Sequence, residues 1–268
     1  MIHPTAIIHP QARLHPTVRV GPYAIVDEAV VIGADCALGP YVHITGVTSI
    51  GTGNQFHTGC VIGDAPQDLK YKNEPTRLVI GDRNVFREHV TVHRSNKIAG
   101  QTMIGSDNFL MQHSHVAHDC VIGHHVIMAG GALLAGHVTV EDRAFISGNC
   151  MAHQFVTIGT LAIMQGGSGI SKDLPPYCVA VQVNSLCGLN VIGLRRAGLN
   201  PAERQELKRV YRTLFRSGLN RAEAVARART ESAGEAATRL TEFVAASRRG
   251  VCVDAGPLPV EDDQDDAG

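Results

Sequence analysis

The sequence predicts a mainly β chain, wound as a parallel β-helix of about 8–10 coils and followed by a small α-helical C-terminal domain. Three observations carry that expectation. An apolar residue falls at every sixth position over long stretches, 26 times in all. The chain has 28 Gly, no Trp and 4% aromatic residues, so its core is filled by Val, Ile, Leu and Ala and it turns often. Beyond Asn190 the apolar spacing changes to that of a helix.

A period of six matches neither a helix at 3.6 residues per turn nor strict strand alternation. It matches a chain wound as a three-sided prism, with a short strand on each side and a tight turn at each corner. The sixth residue then points inward, and Gly, Asn or Asp near the corners tolerates the positive φ that turning requires. Three sides make a coil of 18 residues, and successive coils stack at strand spacing. Each coil buries its apolar residues only against its neighbours, so the array is quasi-one-dimensional and its ends need cover.

In chain order, the beat runs from Ile2 through Ile8, Leu14 and Val20 to Ile62, breaks over 63–79, and returns at Ile80, Phe86 and Val92. It breaks again over 93–103 and then runs without interruption from Ile104 to Ile170. The two breaks predict loops that leave the shaft, where binding residues tend to sit. Pro175 and Pro176 end the beat. Asn200-Pro201 reads as N-cap and N1 of a helix over 201–217, with Leu207, Val210, Tyr211, Leu214 and Phe215 on one face. A second helix is expected over about 221–247, with Val225, Leu240, Phe243 and Val244 inward. The predicted organisation is a β-helix domain over 1–186, a helical domain over 187–250 and an acidic, disordered tail over 251–268.

The net charge is −1, which gives no global sign of a nucleic-acid partner. Charge is uneven, however. Residues 191–250 hold 13 Lys and Arg against six acids, and 251–268 hold six acids and no base. No apolar run reaches the roughly 18–20 residues of a membrane span, and the N-terminal stretch is not a signal segment. Seven cysteines without a C-x-x-C pair make neither a disulfide framework nor a zinc ribbon, so a cytoplasmic location is expected.

Histidines cluster between the beats. His118, His137 and His153 leave remainders of 10, 11 and 9 on division by 18, which places them near one angular position on successive coils. His115 precedes His118 on the same coil. Packing does not require such a column, although His3, His9 and His15 read as ordinary turn residues. Two chemistries suit it. Neutral imidazole can act as a general base, with Asp119 orienting His118 if the corner brings the two side chains together. Alternatively, imidazoles bind Zn²⁺, and His113 with His118 has an H-x₄-H spacing also found in carbonic anhydrases built on β-helices.

The segments His115-Val116-Ala117-His118-Asp119-Cys120, Leu134-Ala135-Gly136-His137-Val138, His153-Gln154-Phe155, Gln67-Asp68-Leu69-Lys70-Tyr71, Glu74-Pro75-Thr76-Arg77 and Thr91-Val92-His93-Arg94 resemble the UDP-N-acetylglucosamine O-acyltransferases of lipid A biosynthesis. These are hexapeptide-repeat acyltransferases. The resemblance implies a left-handed β-helix, although the general preference for right-handed crossovers points the other way. It also implies a homotrimer with sites between subunits, and a reaction that moves a 3-hydroxyacyl chain from acyl carrier protein to the sugar 3-hydroxyl of UDP-N-acetylglucosamine.

By the same resemblance His118 would be the general base, Asp119 its partner, and the Gly136 N–H the oxyanion donor. Asp68, Lys70, His115, His137, His153 and Gln154 would hold the sugar nucleotide and the acyl-pantetheine arm. Asn190 and Arg196 would contact the nucleotide. Gly166 matches the position where a glycine admits a longer acyl chain, with Met164 nearby. No metal or cofactor is implied, because the thioester is already activated. The basic helices (Arg195, Arg196, Arg204, Lys208, Arg209, Arg212 and Arg216) would offer a face to the acidic carrier protein.

The departures from the family pattern fall in the nucleotide-binding half. Val183 stands where glycine is common and Ala197 where a second arginine is usual; apart from these, the second loop, 93–103, is short for the family. They leave a 3-amino UDP-sugar open as acceptor. A metal-dependent hydratase and a non-catalytic scaffold are the readings from other classes.

Overall fold

The computed structural model describes residues 1–255. The chain climbs as a three-faced parallel β-helix. The first face has nine strands, from Ile7–Ile8 to Gly169–Ile170, and the second has eight, from Arg13–Leu14 to Thr157–Ile158. The third starts at Arg19–Val20 and reaches eleven strands because three C-terminal strands join it, ending with Val253–Asp254. Most strands are two residues long, and partners are 18 residues apart, as in Ile127↔Phe145. Twenty-three of the 26 beat residues are buried, each adding roughly 1.5–3 kcal/mol through apolar area withdrawn from water. The exceptions are Ile2, Ile8 and Leu14 in the first coil, which has no coil beneath it among the described residues.

The insertions preserve this register. Val61 pairs with Thr91 and Val79 with Met103, separations of 30 and 24 instead of 18. Twelve and six extra residues therefore leave the shaft between Asp64 and Arg77, and between His93 and Gln101. Both leave from the corner joining the first face to the second, and on the next coil that corner carries Ala117 to Cys120.

The expected Gly, Asn and Asp take positive φ at corners such as Asp35, Gly53, Asp107, Gly131 and Asn149, but they are not alone. Tyr23, Tyr41, His89, His113, His125, Arg143, Phe155 and Leu161 all take positive φ. Each such residue costs roughly 1–2 kcal/mol. The cost is offset by hydrogen bonds to the coil below: the N–H of His137 donates to His118 O, that of Phe155 to Gly136 O, and that of Leu161 to Asp142 O. At the corner between the second and third faces, Asn54, Asn84 and Asn108 form a buried ladder. Asn84 donates from its backbone N and Nδ2 to Asn54 Oδ1, and Asn108 N donates to Asn84 Oδ1.

Past the shaft, helix α1 (Val191–Arg196) is capped by Asn190, and α2 (Pro201–Arg216) begins with a capping box formed by Asn200 and Glu203. The single helix expected over 221–247 is two, α3 (Arg221–Glu231) and α4 (Glu235–Ala246). The break is held from α2, where Glu206 accepts the N–H groups of Ala233 and Gly234. Leu207, Val210, Val225, Leu240 and Val244 form the helical core; Phe243 is only partly buried.

Two expected boundaries move. The line at 186/187 falls inside strand Ser185–Leu189, which pairs antiparallel with Cys178–Val181. The tail expected from 251 does not start there. Val253–Asp254 adds a strand beside Ser185–Leu186, Cys252 is fully buried, and Asp254 meets Arg216 and Tyr211. Backbone pairing and burial together hold this segment. The expectation of disorder over 256–268 lies outside the described residues.

Candidate active site

Strand His115–Val116 on the first face and Val121–Ile122 on the second fix the turn between them. Asp119 occupies its positive-φ position (φ 59°), and its N–H donates to Thr102 Oγ1. This turn geometry folds the side chain of Asp119 back beside that of its neighbour, so that His118 Nδ1 lies 2.9 Å from Asp119 Oδ2. Ser95 Oγ donates to the other carboxylate oxygen at 2.6 Å, and the Asn96 N–H donates to Oδ2 at 3.1 Å. Burial alone raises the pKa of Asp119. The donors from His118, Ser95 and Asn96 more than reverse this and hold the carboxyl well below the usual carboxylate range. An ionised carboxylate accepts, so Nδ1 of a neutral His118 carries the proton and Nε2 is free to take one.

One coil further, Gly136 faces the imidazole. A Cβ placed on Gly136 would meet His118 Cε1 at 2.6 Å and Nε2 at 2.7 Å. The glycine is demanded by this close approach, since its φ is not positive. Among the described residues the Gly136 N–H has no hydrogen-bond partner. His137 packs edge-on to His118 at 5.1 Å, and Phe155 stacks on His137 at 4.6 Å. Burial lowers the pKa of His137, Asp119 opposing and Lys97 and His118 adding to the fall.

A cavity of about 380 Å³ opens here, lined by Gln67, His93, His115, His118, Gly136 and Gln154 among others. His115 Nδ1 is hydrogen bonded to Thr91 Oγ1 at 2.7 Å, and its ring meets that of His93 at 4.8 Å. Burial, with His93 and His118 nearby, pushes His115 down to about 4. His93 is buried too, and its Nδ1 has no partner among the described residues. The two loops are joined by Asn96, whose Nδ2 donates to Asp68 Oδ2 at 2.8 Å.

The structure thus gathers Asp68, His115, His118, Asp119, Gly136, His137 and Gln154 at one corner. Lys70 is exposed on the first loop, beside Asp68. His153 stays at the margin, exposed, with Arg249 Nη2 3.5 Å from its Nδ1. The expected column is therefore three neighbouring columns, and the ring contact it contains is between His118 and His137.

Four expected residues lie elsewhere. Gly166 is exposed at the corner between the third and first faces, with Gly148 O 3.7 Å from a Cβ built on it. Met164, expected near Gly166, is fully buried in the core. Asn190 and Arg196 border a cavity of about 770 Å³ on the third face, together with Arg143, Phe145 and Ile163. Asn190 is occupied structurally: its Oδ1 accepts from Gly193 N and its Nδ2 donates to Leu161 O. Val183 is tolerated because the positive-φ positions there are Gln182 and Asn184.

His113 belongs to another corner, where it stacks on His89, so the H-x₄-H pair does not form a ligand set. Donor atoms of His118, Asp119 and His137 do lie within 4.8 Å of one another, a group able to hold a metal ion. Sequence reasoning gave no role to Ser95 and Asn96, and it quoted His93 and Phe155 only within matching segments. The signal for Ser95 and Asn96 lies in the length of the second loop, six residues beyond the 18-residue period.

Fold and site together define a hexapeptide-repeat transferase. Residues 101–136 match the bacterial transferase hexapeptide (six repeats) model, and residues 173–252 match the model for UDP N-acetylglucosamine O-acyltransferase, domain 2. An acyl-[acyl-carrier-protein]–UDP-N-acetylglucosamine O-acyltransferase from Syntrophobacter fumaroxidans is 46% identical over 254 residues, 93% of this chain and 98% of the relative. One from Gloeothece citriformis is 45% identical, covering 96% and 94%. The UDP-N-acetylglucosamine acyltransferase structure from Bacteroides fragilis superposes with a TM-score of 0.91 at 38% identity, covering 94% of this chain and 99% of that one. The Francisella novicida structure does so at 0.91 and 34%, covering 95% and 94%. The chain belongs to the UDP-N-acetylglucosamine O-acyltransferase family, built on the left-handed parallel β-helix, and is an O-acyltransferase.

Proposed function

We propose that this enzyme transfers a 3-hydroxyacyl chain from acyl carrier protein to the 3-hydroxyl of UDP-N-acetylglucosamine, the first step of lipid A biosynthesis, in the cytoplasm. The observation that carries the mechanism is the state of His118. Its Nδ1 is held by Asp119 at 2.9 Å, while its ring packs against Gly136 in the cavity. His118 Nε2 takes the proton of the sugar hydroxyl as the oxygen attacks the thioester carbonyl. Asp119 stabilises the imidazolium that forms. The unpaired Gly136 N–H receives the oxyanion, a donor placed where charge develops. Collapse breaks the C–S bond, and His118 returns its proton to the leaving thiolate. Asp68, Lys70, His115, His137, His153 and Gln154 position the sugar and the pantetheine arm.

Gly166, Asn190 and Arg196 lie on a different corner and face from His118. Their assignment to the same site therefore calls for a second copy of the chain, and supports a homotrimer with its sites between subunits. Arg204, Lys208, Arg212 and Arg216 line a basic cleft of about 540 Å³ beside α2, suited to an acidic carrier protein. Among the described residues, no helix is long and apolar enough to cross a membrane.

The test is a transfer assay with 3-hydroxyacyl carrier proteins of several chain lengths, offering UDP-N-acetylglucosamine and its 3-amino analogue. Ester product from the former, lost by on the order of 10³-fold in His118→Ala, is the expected result. Amide product alone would make the 3-amino sugar the acceptor. Full activity in His118→Ala would overturn the mechanism.

A further inference from the structure

Ser95 and Asn96 belong to the second loop and make no part of the reaction just described, yet both are aimed at its carboxylate. Ser95 is fully buried. Its own N–H is fixed to Arg77 O, and its Oγ accepts from Lys97 N. The hydroxyl faces two acceptors, Lys97 O at 3.2 Å and Asp119 Oδ1 at 2.6 Å, and the nearer, ionised carboxylate takes the proton. Gly100 closes the turn over this pair, its N–H donating to Lys97 O. A Cβ on Gly100 would stand 2.6 Å from Ser95 Oγ and 3.1 Å from Asp119 Oδ1. Asn96 then works in two directions. Its backbone N–H donates to Asp119 Oδ2, and its side chain donates to Asp68 Oδ2 on the first loop.

We propose that Ser95 and Asn96 form a strap that positions the His118–Asp119 pair and ties it to Asp68. Ser95 is a positioning residue: it acts through Asp119 and touches neither substrate. Three donors from two chain segments fix one rotamer of the carboxylate, and they leave Oδ2 aligned with His118 Nδ1. Hydrogen bonds to charged groups are the strong ones, and at this largely covered pair little solvent competes. Asn96 makes the acceptor side of the cavity and the base share one loop. Movement of Asp68 on sugar binding is thereby felt at Asp119.

The inference rests on the proposed roles of His118 and Asp119, and its test separates the two. Ser95→Ala is expected to lower kcat by on the order of tenfold, the size of one lost charge-assisted hydrogen bond, with the KM of the acceptor changed less than about twofold. With one donor gone, the carboxylate becomes more basic and holds the imidazolium more firmly. The acid limb of the kcat profile therefore moves to higher pH. Asp119→Asn, which removes the charge, moves it to lower pH. Ser95→Thr restores both kcat and the limb. Gly100→Ala, which presses on the same pair, should reproduce the loss. Asn96→Ala keeps the backbone donor and loses the link to Asp68, so acceptor KM rises more than kcat falls. Wild-type kcat and pH profile in Ser95→Ala would overturn the strap. A fall in kcat with an unmoved limb and no rescue by threonine would also overturn it, reducing Ser95 to a packing residue. Should His118→Ala remain active, the assignment of the base fails instead.

Discussion

Two corners of the same prism carry buried polar residues and put them to opposite uses. At the corner between the second and third faces, the side chains of Asn54, Asn84 and Asn108 spend their hydrogen-bonding capacity on the coils above and below. Asn54 donates to Gly81 O, Asn84 to Gly105 O and Asn108 to Gly123 O, and Asn108 Oδ1 accepts from Val126 N. At the corner between the first and second faces, capacity is left over. His93 Nδ1 and the Gly136 N–H have no partner among the described residues, and both belong to residues lining the cavity. Repeat geometry supplies either corner with the same backbone. What separates scaffold from site is whether the polar atoms close on each other or are held open.

The sharpest way to break this comparison is to fill the open corner. Gly136→Ala should displace the His118 ring and cut kcat by on the order of 10²-fold, with the melting temperature unchanged. A normal rate would mean that the close approach of Gly136 to the imidazole is incidental. Opening the closed corner should do the reverse. Asn84→Ala strands Gly105 O and the Asn108 N–H, while Asn54 Oδ1 keeps the backbone donor of residue 84, and should cost about 3 kcal/mol in denaturant unfolding while the surviving folded enzyme keeps its rate.

The smallest effect is on pH. Burial holds His115 at about 4 against an ordinary 6.5, so between these values the unfolded chain binds a proton that the folded chain resists. Its contribution is fully present above about pH 6.5 and is lost as pH falls toward 4. His115→Asn should flatten that part of the stability curve; a curve of unchanged slope would show that burial does not set the protonation of His115.

The shaft was legible because one rule repeats. The beat from Ile104 to Ile170 needs no information beyond itself, and each of those residues is buried. His118, Asp119 and Gly136 were legible through the resemblance, and the 18-residue ruler agrees, since Gly136 stands one coil from His118. Ser95 was not, because Ser95 and Asp119 are 24 residues apart and the ruler of 18 misses by the length of the loop between them. The helix break at Ser232 to Gly234 depends on Glu206, and the ordered stretch from Val251 to Ala255 depends on a strand at Ser185–Leu189. Both are contacts between distant segments, to which local periodicity is blind. The corner conformations of Tyr23, His113 and Leu161 were hidden for a related reason, since hydrogen bonds to the preceding coil override the local preference against positive φ.

The first coil, with Ile2, Ile8 and Leu14 incompletely covered, gives the molecule a direction in time. Stability in a stacked array is a sum over neighbours, and a coil with one neighbour opens most readily. The far end is tied down by the strands of Ser185–Leu189 and Val253–Asp254 and by the helices. Breathing therefore begins at the N-terminal end and advances coil by coil toward the tied end. His115–Val116 is the sixth of nine strands on its face, so five must open before the catalytic turn loses its support. The chemistry sits where the molecule comes apart late.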